Sequence, residues 1–160
     1  LELPVELPEL VKVLHLVTRS PFLHSLARKE YALVVTITSF SFRRGIPEDS
    51  SGHGGGFVFD CRAIHNPGKY LEFKNLTGKD TAVQEFLENK SEMPGFMNAV
   101  FALVEQSVKK YTDRGFTHLM VNFGCTGGQH RSVYAAEKLA AFLKQNFPVH
   151  VLVIHRELNG

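Results

Sequence analysis

One short glycine-containing segment carries the side chains best suited to chemistry. It reads Gly-Cys-Thr-Gly-Gly-Gln-His-Arg-Ser over 124–132 and lies between a strand-like run and a helical run. The backbone N–H groups of such a turn, together with the positive end of the following helix dipole, favour an anion, usually phosphate. Arg131 adds a fork-shaped cation, and Thr126 and Ser132 add hydroxyls. The segment therefore predicts a phosphate-binding strand–loop–helix.

The same loop fits a second chemistry, because five residues separate Cys125 from Arg131 and Ser132 follows directly. This C-x5-R-S spacing is that of cysteine-dependent phosphatases, in which loop amides and a helix N-terminus lower the pKa of the thiol. The thiolate attacks phosphorus while the arginine holds the equatorial oxygens. Gly124 stands where such enzymes usually carry His. Asp60 is the candidate for the general acid, although an Asp in a strand is more often structural.

Three other interpretations of the loop are a nucleotide-binding loop, a zinc site and a tight turn whose glycines serve packing alone. The Gly-Lys-Ser/Thr ending of a Walker A loop is absent. Cys125 and His130 lack the paired ligand spacing that zinc requires, so neither a metal site nor a cofactor is predicted. The packing turn stays open, but Gly-Gly, His, Arg and Ser at one turn favour an anion site.

Length and composition bound the rest of the chain. Its 160 residues, 44% hydrophobic and 21% charged, are typical of one soluble globular domain. No apolar run approaches the ~20 residues that span a bilayer, which predicts no membrane partner. A net charge of +2 does not require a nucleic-acid partner. Two cysteines suit a reducing compartment, and with no signal peptide we expect the cytoplasm. Because the chain starts at Leu1, we expect a piece of a larger protein.

Hydrophobic patterning predicts an α/β order of elements. The expected strands are 31–40, 57–64, 116–124 and 149–155, and the expected helices are 80–90, 94–113 and 131–146. Residues 1–30 are interpreted as a linker with a helix at about 8–17, and 50–56 as a flexible loop. The helix–strand alternation favours a single α/β domain over 31–160, with helices packed on a mostly parallel sheet. Sites in such sheets lie at the C-terminal ends of the strands.

Several charged side chains stand near the expected strand ends. Arg43 and Arg44 either border a solvated turn or form a rim contact to phosphate or RNA. Asp60 and Arg62 either pair with each other or contact a ligand separately, since residues two apart on a strand share a face. His155 either holds Asp60 or contacts the ligand, although a lone histidine at a strand end is more often simply hydrogen-bonded.

The loop and its helix, GCTGGQHRSVYAAEKLA, closely resemble the signature of the C-terminal domain of the RapZ family of RNase adapter proteins. Four further segments resemble family motifs in the same order: SFSFRRGIP at 39–47, FDCRAIHNP at 59–67, LTGKD at 76–80 and HREL at 155–158. Together they cover about 31–158, and five ordered motifs are far more specific than one. Gly68 stands where the family usually has His, and Gln129 replaces a Lys or Arg.

The resemblance implies a regulatory domain and favours ligand binding over catalysis. Full-length family members join an N-terminal P-loop nucleotide-binding domain to this one, so such a domain would be missing from the 160 residues. The C-terminal domain is linked to sensing a phosphorylated amino sugar and to binding small regulatory RNA, and a homo-oligomer is left open. The resemblance and the loop together give the candidate site Thr126, Gly127, Gly128, Gln129, His130, Arg131, Ser132, Arg62, Asn66 and His155.

Overall fold

The computed structural model of the chain describes residues 32–158. The helix expected at 8–17, and the linker around it, lie outside the described residues. The elements in chain order are β1 Val34–Ser41, β2 Gly56–Asp60, α1 Thr81–Asn89, α2 Met93–Asp113, β3 His118–Cys125, α3 Arg131–Asn146 and β4 His150–His155. Short 3₁₀ turns occupy Phe42–Arg44, Pro67–Lys69 and Leu71–Phe73.

The four strands form one parallel sheet in the order β2-β3-β1-β4. This confirms the predicted α/β class with a largely parallel sheet. The register brings all the C-terminal strand ends to one edge, where Ser41 pairs with Cys125, and Asp60 with Gly124. The glycine loop leaves β3 at this edge, which is where parallel sheets place their ligands.

Helices cover one face of the sheet. Alternate residues of the central strands, including Val35, Ile37, Val121 and Phe123, are fully buried there against helices such as α3. Burial of each such side chain contributes ~1.5–3 kcal/mol to folding. The long helix α2 likewise buries one of its faces, because its buried residues recur at helical spacing. They are Met93, Met97, Val100, Val104 and Val108.

The opposite face of the sheet is partly open in the part of the chain that the structure describes, although Thr38 and Asn122 are buried on it. Leu152 and Ile154 of β4 are 54% and 45% exposed there. Parallel sheets usually have both faces covered, so the exposed apolar side chains on this face are unusual for such a sheet. None of the helices from α1 to α3 has the length and hydropathy to cross a membrane.

Two expected segments differ from the structure in detail. The strand expected at 57–64 ends at Asp60, and the chain then turns, with the Ile64 N–H donating to the carbonyl of Cys61. The glycine segment 50–56 is a loop up to Gly56, but it has internal structure. The Asp49 carboxylate accepts N–H groups from Ser51, His53 and Gly55. The Ser51 hydroxyl donates to the same carboxylate. These hydrogen bonds, of which the one from the Ser51 hydroxyl has the largest effect, hold the pKa of Asp49 well below its usual range.

Candidate functional site

The glycine loop joins the end of β3 directly to the start of α3. Gly128 has φ +70°, a backbone conformation that residues with a side chain adopt only at an energetic cost. A Cβ at this position would also lie 2.9 Å from the backbone nitrogen of Ser41. Gly127 differs, because a Cβ there would meet no protein atom within 4 Å. Gly128 is therefore required by the fold, whereas Gly127 leaves open space beside the loop.

Arg131, the first residue of α3, is buried with only 4% of its surface exposed. Its Nη1 donates to the carbonyl oxygens of Arg62 at 2.9 Å and Ile64 at 2.8 Å, so it fixes the turn that follows β2. Its Nε is buried and finds no hydrogen-bond partner among the described residues. No carboxylate within 32–158 forms a salt bridge with it. A buried cation without a counterion is costly, and a bound anion would offset that cost.

A pocket of about 210 Å³ opens beside this loop. Its lining residues are Arg43, Asn66, Gly68, Cys125, Thr126, Gly127, Gln129, His130 and Arg131. Six of the ten predicted site residues thus meet at one place. The four that do not line the pocket are Gly128, Ser132, Arg62 and His155.

Cys125 forms the floor of the pocket, where it is 3% exposed. Its Sγ accepts the N–H of Gly128 at 3.2 Å and lies 3.1 Å from the hydroxyl oxygen of Ser132. Ser132 is fully buried beneath the loop. Its hydroxyl therefore contacts the sulfur from the interior of the protein.

Gln129 and His130 connect the loop to the segment before α1. The side-chain amide of Gln129 donates to the carbonyls of Lys74 at 3.0 Å and Leu76 at 2.6 Å. His130 Nε2 lies 2.8 Å from the carbonyl oxygen of Phe73. Because a carbonyl only accepts, Nε2 carries the proton, and in a neutral ring Nδ1 is the acceptor. A Cβ on Gly68 would lie 3.4 Å from this Nδ1.

Arg62 and Asp60 pair with each other, which is one of the two arrangements left open by the sequence. Arg62 Nε and Nη2 donate to both carboxylate oxygens of Asp60 at 2.7–3.0 Å, and the guanidinium lies 3.9 Å from the ring centre of Phe42. The hydrogen bond from the Arg62 side chain holds the pKa of Asp60 below its usual value. An ionised Asp60 has no proton to give, which argues against its role as a general acid.

His155 is held inside the protein by both ring nitrogens. Nδ1 lies 2.7 Å from the Ser39 hydroxyl, and Nε2 lies 2.7 Å from a carboxylate oxygen of Glu137. The set has the residue types of a Ser-His-acid triad, but Ser39 is completely buried and no substrate can reach its oxygen. The structure therefore places His155 in a hydrogen-bond network that ties β1, β4 and α3 together.

Ser41 and Glu157 support the loop and were not singled out from the sequence. The Ser41 hydroxyl donates to the carbonyl of Thr126 at 2.6 Å. Glu157 accepts the Ser41 N–H at 3.3 Å, and its other oxygen pairs with Arg44 Nε at 3.2 Å. A polar residue at the end of a strand next to β3 is the signal that could have indicated Ser41. Of Arg43 and Arg44, for which the sequence leaves a solvated turn and a rim contact open, only Arg43 lines the pocket.

A larger concavity of about 790 Å³ lies on the open face of the sheet, under the segment that connects β1 to β2. None of the predicted site residues lines it. It also lacks the glycine loop and the buried Arg131, so its size alone does not make it the functional site. Within 32–158, no three His, Cys, Asp or Glu side chains are grouped so as to hold a metal ion.

The family model of the RapZ C-terminal domain matches residues 33–159. A nucleotide-binding protein of Endomicrobium trichonymphae is 39% identical over 130 residues, which are 81% of this chain and 43% of that protein. A nucleotide-binding protein of Acidithiobacillus ferrooxidans is 39% identical over 135 residues, 84% of this chain and 43% of its own length. One of Thermotoga neapolitana is 38% identical over 134 residues, with 84% and 46% covered. The chain therefore spans less than half the length of these relatives.

Proposed function

The chain belongs to the RapZ C-terminal domain family, and from this membership we propose that it is a regulatory domain that binds a phosphorylated metabolite. The pocket beside the glycine loop takes the phosphate group. The rest of the ligand is a sugar, an amino sugar or a similar small polar molecule. The fraction of protein with an occupied pocket follows the concentration of the ligand, and the ligand is not chemically changed.

The buried guanidinium of Arg131 is the observation that carries this proposal. It has one unsatisfied N–H and no carboxylate partner among the described residues, and it lines a pocket that opens to solvent. A phosphate oxygen would satisfy that donor and supply the missing negative charge. The positive end of the 16-residue helix α3 begins at the same residue and favours the same charge.

Polar groups beside the loop suit the remainder of a sugar phosphate. His130 offers an acceptor at Nδ1, and Arg43 adds a second cation at the rim. The Asn66 side-chain oxygen caps the turn at Gly68, which leaves its NH₂ group for a ligand. Hydroxyl and amino groups of a sugar are donors and acceptors of the kind that these side chains complement.

The phosphorus NMR spectrum of glucosamine-6-phosphate, recorded with and without the protein, tests this function. Binding without turnover shifts or broadens the ester signal and leaves its area constant. An unchanged spectrum at millimolar protein would count against a sugar phosphate as the ligand.

Hydrolysis of a phosphate ester by Cys125 is the second candidate function. The N–H of Gly128 donates to Sγ and the Ser132 hydroxyl oxygen lies 3.1 Å from it, so the loop holds this sulfur in the lining of the same pocket as Arg131. Against it, Asp60 is held by Arg62 and is a poor proton donor for the leaving group. The same NMR spectrum separates the two functions, because a phosphatase replaces the ester signal with that of inorganic phosphate. Cys125→Ser would then abolish the turnover.

We extend the proposal to RNA binding and to action in the cytoplasm, as the family resemblance implies. Exposed cations near the pocket would meet RNA phosphates; they are Arg43, Lys69 and Lys74. Neutralised phosphates make RNA affinity fall with salt, by a slope of about −0.7 per contact for single strands. An affinity for a small RNA that is absent, or independent of salt, would remove this part of the proposal. Both cysteines are unpaired, in keeping with a reducing compartment.

A further inference from the structure

The two cysteines of the chain lie side by side at the carboxyl ends of neighbouring strands. β2 and β3 pair in parallel, with Phe59 opposite Phe123 and Asp60 opposite Gly124. The N–H of Cys61 donates to the carbonyl of Gly124 at 2.8 Å, so the pairing continues one residue beyond β2. The next position in this register sets Cys61 opposite Cys125.

Both thiols point to the same face of the sheet. Strand side chains alternate between faces, so Cys61 shares its face with Phe59, and Cys125 shares its face with Phe123. The rings of Phe59 and Phe123 stack with their centres 5.4 Å apart, which shows that this face is common to both strands. Both cysteines belong to the buried core cluster. Neighbouring strands lie ~4.8 Å apart, which is within the ~4.4–6.8 Å between Cα atoms that a disulfide spans.

The surroundings of the two sulfurs differ in a way that gives them different roles. Cys125 lines the pocket, so a small oxidant has access to its sulfur, which accepts the Gly128 N–H. Cys61 is completely buried and does not line the pocket. Burial raises the pKa of the Cys61 thiol, and the neighbouring Cys125 raises it further. Cys125 is thus the thiol that meets the oxidant, and Cys61 is the thiol that resolves the product.

We propose that Cys61 and Cys125 form a redox pair, which a peroxide oxidises through the pocket to a reversible intramolecular disulfide. Cys125 sulfur attacks one peroxide oxygen, the O–O bond breaks, and a sulfenic acid and one water result. Cys61 sulfur then attacks Cys125 sulfur, the S–O bond breaks, and a second water leaves. In sum, two thiols and one hydrogen peroxide give one disulfide and two waters, and the peroxide is reduced by the two electrons that the thiols lose.

The disulfide would act on the glycine loop. Bonded to Cys61, the Cys125 sulfur turns away from the loop and no longer accepts the N–H of Gly128 or contacts the hydroxyl of Ser132. The loop then loses the contact that holds its central glycine. Oxidation should therefore lower the affinity of the pocket for its ligand, a consequence that rests on the proposed function, whereas the disulfide itself does not.

Mass spectrometry of the peroxide-treated protein tests the redox pair. After treatment with hydrogen peroxide and alkylation of the remaining thiols, we expect the chain to lose two hydrogens and to yield one cross-linked peptide that contains both cysteines. Dithiothreitol should restore the original mass. Cys61→Ala and Cys61→Val should prevent the cross-link, and in both variants Cys125 should proceed to sulfinic acid, which dithiothreitol does not reverse. Circular dichroism verifies that each variant is folded.

The amide signal of Gly128 in the ¹H–¹⁵N NMR spectrum gives a readout that does not depend on any ligand. It should move on oxidation of the wild type and return on reduction. If the disulfide forms but glucosamine-6-phosphate binds neither form, the proposed function fails and the redox pair stands. If both thiols remain open to alkylation, or Cys125 reaches sulfinic acid while Cys61 of the wild type stays free, the redox pair is refuted.

Discussion

The hydroxyl of Ser41 donates a 2.6 Å hydrogen bond to the backbone carbonyl of Thr126. The last residue of β1 thereby holds the first residue after β3. The backbone N–H of the same serine is held by Glu157, which belongs to the chain after β4. Three strand ends are thus coupled to the shape of one loop.

Replacement of Ser41 by Ala should weaken ligand binding in a protein that still folds. The change removes two hydrogen bonds of the hydroxyl, the one to the Thr126 carbonyl and the one from the Arg43 N–H, for which we expect a loss of about 1–3 kcal/mol in the free energy of unfolding. Because the loop loses its tie to β1, we also expect about a tenfold weaker affinity for glucosamine-6-phosphate. Urea unfolding and calorimetric titration measure the two effects. Ser50→Ala, in the exposed connection after β1, serves as the matched control; equal affinities of both variants would contradict a positioning role.

Gly127→Ala should separate binding from stability. The added methyl group meets no protein atom within 4 Å, and the φ of Gly127 is not positive, so the fold should be unaffected. The methyl group would occupy the space proposed for the phosphate, so binding should be lost. Gly95→Ala, whose Cβ is also free of contacts, is the control with intact binding. If Gly127→Ala binds as the wild type does, the ligand does not lie against the loop.

Replacement of Arg131 by Lys should weaken phosphate binding while the charge is kept. Lysine lacks the planar fork, so it cannot hold the Arg62 and Ile64 carbonyls and a phosphate at the same time. We expect an affinity loss of about ten- to a hundredfold, together with a stability loss of about 1–3 kcal/mol. Thermal unfolding verifies that the variant is folded at the temperature of the titration. The exposed Arg114→Lys is the control, and retained affinity in Arg131→Lys would remove Arg131 from the site.

The position of the glycine loop between β3 and α3 could be predicted because the segment is local in the sequence. Residues 124–132 are contiguous, so the turn and Arg131 at the start of α3 follow from spacing alone, whereas anion binding at this turn stays a prediction. Arg62 and His155 were harder to place, because each is satisfied by a partner that spacing does not specify. Arg62 pairs with Asp60 only because the chain turns after β2, and His155 meets Glu137 only once α3 packs on β4. Support from Ser41 and Glu157 depends on strand order, which no local pattern contains.

The network around Glu137 should make the fold less stable in acid. Burial raises the pKa of Glu137, but the hydrogen bond from His155 and the charge of Lys79 outweigh it, and the folded pKa lies below the ordinary value of 4.5. A carboxyl with a lowered pKa contributes stability that is fully present above its unfolded value and is lost as the pH falls through the folded pKa. Urea unfolding at a series of pH values below about 5 measures this loss.

Glu137→Gln should reduce the acid sensitivity, since the variant has no carboxyl to protonate at this position. Glu105→Gln, which removes only an exposed pair with Lys109, should keep the wild-type profile. Profiles for Glu137→Gln and the wild type that run in parallel through the acid range would show that Glu137 does not supply the linkage.

Ligand binding at the glycine loop can be located on the protein residue by residue. The ¹H–¹⁵N NMR spectrum is recorded as glucosamine-6-phosphate is added to the full chain. We expect the largest shifts at the amides of Thr126 to Arg131, with smaller ones at Asn66 and Gly68. Shifts confined to His118 and Leu152, in the larger concavity on the open face of the sheet, would contradict binding at the glycine loop, as would no shift at all.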